Sequence, residues 1–210
     1  MSRKIDEKEL VGKLASMRPA HRLAFAASCC ERLLPNFEAF HVMEGFGDPA
    51  QLRSALDTIW DCVLGKTLSS EEVEKQKVIC EKNLPDPDNY SSVFTSAAIN
   101  ACSAVIDALD CYLTESPQSA ANTGVLADDT VYDYIYRIDS PFSSTIAQTA
   151  GVGFDAFVLD HPLKTEELIK QAEDIRLLSS HETLTFKTIR ELRKNSRNFG
   201  IQPFRRGIVK

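Results

Sequence analysis

The 210-residue sequence has no apolar run near the length of a membrane-spanning helix, which takes about 18 or more such residues. Its opening stretch, MSRKIDEKEL, has no apolar segment of the kind that directs secretion, so a cytoplasmic protein is expected. There is no CxxC or HxxxH among the six cysteines and four histidines, the spacings a zinc site needs from neighbouring ligands. GxxxxGK[ST] is also missing. The GVG at 151–153 lacks both the third glycine and the preceding strand of a dinucleotide fingerprint. No cofactor and no metal are therefore expected. Strand-like alternation is scarce, and no internal repeat, low-complexity segment or linker interrupts the chain. A net charge of −6 runs against a general nucleic-acid binder, whose footprint is basic.

What is present is helical periodicity. An apolar share of 43% and a charged share of 26% suit a globular domain large enough to bury its own core without disulfides. The pattern predicts an all-α single domain over 1–210. About 8–9 helices surround a central apolar helix at 91–113, and a short tail, 199–210, packs on the body. Helix starts and stops are marked by Arg18-Pro19, by GFGDPA with Asp48 as cap, by Gly65 and Ser69, by Ser116-Pro117, and by Pro162. Pro35 is expected to end the helix that begins at Pro19, with Asn36 capping a new one. Residues 139–160, with Pro141, Gly151 and Gly153, read as a long loop with some helix.

The dipeptide Cys29-Cys30 is the most suggestive local feature. Adjacent residues on a helix point about 100° apart, so the two thiols do not share one ligand face. They also lie away from the helix N-terminus that would favour a thiolate. Packing as small core residues is the expected role. The charged residues carry more promise. Arg53, Asp57 and Asp61 follow at i, i+4 and i+8, and Glu31 and Arg32 sit on a helix expected nearby. Paired carboxylates suit general acid–base chemistry or a hard cation, and they equally suit an ion-pair network between helices.

The last 25 residues, Phe186 to Lys210, carry +7, leaving −13 on the remainder. Arg190, Arg193, Lys194 and Arg197 recur at i, i+3, i+4 and i+7, one helical face. Such a strip lies either against the acidic body or a second copy of the chain, or docks an anion, a nucleic acid or an acidic protein. The leading expectation is a non-catalytic interaction or adaptor module with a protein partner or homodimer. The alternatives are an enzyme or small-ligand binder at the Glu31 cluster and docking through the basic strip.

CCERLLPNFEAF, GFGDP, LDTIWD and AINACSAV together resemble the YjaG-like bacterial family, a domain of unknown function. The resemblance spans about residues 8–200 and implies an all-helical single domain. It brings no activity, cofactor or catalytic residue with it. It marks Glu31, Arg32, Asn36, Gly45, Gly47, Asp48, Asp57, Trp60 and Asp61 as the residues any shared site would use.

Overall fold

The computed structural model describes residues 6–137 and 158–197. These include eight helices: α1 (Glu7–Ala15), α2 (Pro19–Glu44), α3 (Pro49–Val63), α4 (Ser70–Lys82), α5 (Thr95–Thr114), α6 (Pro117–Arg137), α7 (Pro162–Ser179) and α8 (Phe186–Ser196). No strand occurs among the described residues. Residues 139–157 and the tail 199–210, for which a loop and a packed extension are expected, lie outside the described residues.

The caps act where the sequence places them. Asp48 accepts from Ala50 N at the head of α3, and Ser69 with Glu72 closes a full capping box on α4. His161 caps α7 ahead of Pro162. Gly45 ends α2 at φ 68°, a left-handed conformation that glycine adopts without strain. Gly47, at φ 76°, leaves no room for a side chain: an added Cβ would stand 2.5 Å from the Phe37 ring. That turn is tied down from the far side by Asn83, whose Oδ1 accepts from Asp48 N at 2.6 Å.

One expectation is overturned. The helix from Pro19 does not stop at Pro35; it runs unbroken to Glu44 with the proline inside it. Proline has no N–H for the carbonyl four residues back, here that of Glu31, and its ring crowds that carbonyl. Burial outweighs this local cost. Leu33, Leu34, Phe37 and Phe40, on both sides of the proline, are essentially inaccessible to solvent. Asn36 is accordingly a buried helix-interior residue and not a cap.

α2 buries sixteen residues, and α5, buried along Ala98, Ala101, Cys102, Val105, Ala108 and Leu109, packs against it at the centre. α5 starts at Thr95, four residues later than the expected start at 91, with a turn at 93–94 leading into it. Around this pair stand α3, α6, α7 and α8 on α2, and α4 and α6 on α5. Small residues along α5 let the helix axes approach closely, which is why the element reads as apolar on several sides.

Candidate functional site

Glu31 and Arg32 are neighbours in sequence and diverge in space. Each is buried, 1% and 3% exposed, and each anchors its own charge network on a different side of α2. The helix geometry alone dictates that split.

On the first side, Glu31 accepts from three residues and forms an ion pair with a fourth. Arg53 Nη1 of α3 reaches both of its carboxylate oxygens at 2.9 Å. Trp60 Nε1, also from α3, donates at 3.0 Å. Arg193 Nε of α8 donates at 2.7 Å, and Arg197 Nε lies 3.5 Å away. Arg193 Nη2 donates to Asp57, and the guanidinium carbon stands 5.8 Å from the centroid of the Trp60 ring. Arg53 and Asp57 thus join Glu31 as their spacing suggests. Asp61 does not: it is exposed and pairs with Lys66 at 3.4 Å. Eight residues along a helix amount to about 80° of rotation, enough to carry it off the shared stripe.

The basic strip of α8 divides in the same way. Arg193 and, from an exposed position, Arg197 pair with Glu31, while Arg190 and Lys194 are exposed and form no ion pair with any described residue.

On the second side, Arg32 forks onto Glu167 of α7, with Nε 2.9 Å from Oε2 and Nη2 2.7 Å from Oε1. Its Nη1 reaches the Ser28 carbonyl and hydroxyl and lies 3.3 Å from Asp174 Oδ2. Gln171 ties Glu167 to the Gly124 carbonyl of α6, both at 2.9 Å. Ser28 Oγ donates to Asp174 at 2.6 Å and also meets Ser196 Oγ of α8 at 2.6 Å. Lys170 pairs with Asp174, and buried Lys164 pairs with Asp128 of α6. Burial outweighs Lys164 and holds the Asp128 carboxyl above its ordinary range. The buried carboxylates around Arg32 keep its guanidinium firmly protonated.

This second network was not foreseen. Its signal is nonetheless in the sequence. The buried positions of α7 are Lys164, Glu167, Gln171, Asp174 and Leu178, a 3-4-3-4 spacing occupied almost wholly by polar residues. A polar stripe at the spacing of a core stripe can be read as a buried polar seam.

One thiol touches a network, Cys29 Sγ accepting from Arg32 Nη2 at 3.3 Å, and the thiols otherwise pack as core. All six are free and buried. Burial pushes Cys29 and Cys62 up to about 11, and Cys80 and Cys111 up to about 12. For Cys29 the nearby Arg32 pulls the other way and loses to desolvation. Native protein at pH 8 is therefore expected to react with a thiol-titrating disulfide reagent at well under one equivalent over minutes, against six after denaturation. A native thiol reacting within seconds would contradict the core assignment.

The histidines are likewise spent on structure. His21 Nε2 meets the His181 carbonyl at 2.9 Å, and His41 Nδ1 meets that of Phe46 at 3.1 Å. Among the described residues, no three His, Cys, Asp or Glu side chains converge as metal ligands, and no helix is long and apolar enough to cross a membrane.

Comparison with known proteins places this architecture in a family. The family model described as "Protein of unknown function (DUF416)" matches residues 9–202. The uncharacterized protein YjaG of Salmonella typhimurium and that of Escherichia coli K12 are each 26% identical over 193 residues, covering 90% of this chain and 91% of theirs. A crystal structure of a DUF416 family protein from Shewanella baltica superposes with a TM-score of 0.76 at 24% identity. That match covers 89% of this chain and 92% of the other, and it bears on the fold alone. The chain belongs to the DUF416 family of proteins of unknown function.

Proposed function

We propose that this protein is a non-catalytic helical interaction module, working in the cytoplasm through a protein partner. One observation carries the reading: Glu31, the most deeply buried carboxylate of the candidate acid–base cluster, already accepts from Arg53, Trp60 and Arg193. A general acid or base must offer an oxygen to substrate, and both oxygens of this carboxylate are already taken by guanidinium and indole N–H donors. The buried thiols offer no alternative nucleophile.

The surface chemistry favours an acidic protein as the partner. Lys187, Arg190 and Lys194 stand exposed on α8, the part of the described surface most enriched in cations free of ion pairs. The reading is tested by affinity capture from a lysate of the source organism. Wild-type protein is compared with Arg190→Glu/Lys194→Glu at low and moderate salt. A discrete protein retained by the wild type, weakened by salt and lost with the variant is expected. Nothing retained, or equal retention by both, contradicts the reading.

A further inference from the structure

The arrangement around Arg193 differs from an ordinary surface ion pair. Its guanidinium is read on three sides: the Nε edge by Glu31 at 2.7 Å, the Nη2 corner by Asp57, and the π face by Trp60 with 5.8 Å to the ring centroid. A lysine, a point charge on a flexible stem, satisfies at most one of these.

The receptor does not depend on α8 for its own order. Glu31 belongs to α2, Asp57 and Trp60 to α3, and the carboxylate is fixed by Arg53 at 2.9 Å and Trp60 Nε1 at 3.0 Å with or without Arg193. Such preorganisation of the acceptor is what a recognition site needs.

The helix that delivers Arg193 is, by contrast, lightly held. α8 has eleven residues, too few for a helix to persist alone in water. It docks on α2 through two buried apolar side chains, Ile189 and Leu192, together with Thr188, Ser196 and the arginines. α2 beneath it buries sixteen residues. An element with few buried apolar contacts opens before the rest of its domain.

We propose that Glu31, Asp57 and Trp60 form an arginine-recognition cleft that α8 closes in cis with Arg193, and that an arginine-bearing segment of a partner takes the cleft when α8 lifts. α8 is then a strap whose release exposes the binding site. This builds on the interaction-module reading, naming the chemistry of a second contact.

The test uses the full chain carrying Arg193→Ala and asks whether the vacated cleft accepts a free guanidinium. Thermal unfolding is followed with about 10 mM ethylguanidinium or ethylammonium at equal ionic strength, well below denaturing concentrations. Ethylguanidinium is expected to raise the Tm of Arg193→Ala by about 1–3 °C more than ethylammonium. No such difference is expected for the wild type, where Arg193 fills the cleft, or for Arg193→Ala/Glu31→Gln. In the same variant, amide exchange of α8 is expected to quicken by on the order of tenfold while α2 and α5 keep their protection. Equal effects of the two cations overturn the recognition cleft. Unchanged α8 exchange overturns the strap. Should Arg193→Ala fail to fold, Arg193→Gln, which keeps part of the stem's packing and vacates the guanidinium position, supports the same comparison. No partner is needed for either readout, so failed lysate capture beside a positive guanidinium response would strike the docking surface alone.

Discussion

Replacing Arg32 by alanine is expected to cost about 3–5 kcal/mol of unfolding free energy, the range for breaking a buried ion pair from one side. The reason lies in what stays behind. Glu167 and Asp174, 7% and 2% exposed, lose the guanidinium that pairs with both. Lys170 still reaches Asp174, but Glu167 keeps only the Gln171 amide. Ser28 loses its Nη1 donor as well. A buried carboxylate without a cation holds an uncompensated charge away from water, which is the costly outcome. Equilibrium urea unfolding measures the loss directly. By comparison, Arg53→Ala leaves Glu31 with Arg193 and Trp60 and should cost only about 1 kcal/mol, the scale of a single net hydrogen bond. Similar losses for the two arginines would mean that burial of the α2–α7 seam is not what sets its energetics.

Replacing Glu31 by alanine is expected to cost about 2–3 kcal/mol, roughly the loss of one charge-assisted hydrogen-bond set with one buried donor orphaned. Trp60 Nε1 bears most of that penalty, since its side chain is 2% exposed and no other acceptor lies on it. The arginines suffer less. Arg53 and Arg193 keep about a quarter of their side-chain surface in water and both lie near Asp57, so they rehydrate or regroup. Glutamine at the same position keeps one acceptor and the side-chain shape and should cost about half as much. If Glu31 were a catalytic acid instead of a clasp, its removal would leave stability unchanged or improved, because functional sites commonly hold destabilising charge.

The helices were legible because their ends carry local chemistry. Asp48-Pro49, Ser69-Glu72, Ser116-Pro117 and His161-Pro162 each start a helix where the sequence alone places it. Pro35 misleads for a nonlocal reason. Whether a proline breaks a helix depends on what the flanking turns bury, and Leu34, Phe37 and Phe40 on either side are core residues that a break would expose. The Arg53–Asp57 pairing was legible from i, i+4 spacing, and Asp61 fails because rotation accumulates over the next turn. The charge asymmetry of the C-terminal segment was visible as a total. Its partition into Arg193 and Arg197 on Glu31 and outward Arg190 and Lys194 was not, since that depends on which side of α8 meets α2.

The polar seam of α7 is the instructive omission. KTEELIKQAED looks like a solvated helix by composition, and Ile169 does face solvent while Glu167, Gln171 and Asp174 face inward. Only the partner across the seam, Arg32, makes that inversion sensible. A buried arginine needs carboxylates around it, and α7 supplies two. The pairing of charges between α2 and α7 therefore fixes which face of α7 is the inside, with the apolar residues of that helix following.

The most direct measurement of whether Glu31 is spent on holding α8 is a double-mutant cycle between Glu31→Ala and Arg193→Ala by urea unfolding. A coupling of about 1–2 kcal/mol is expected, as for charged partners in direct contact within a shared network. A coupling within about 0.3 kcal/mol of zero, the additivity of independent sites, would contradict it.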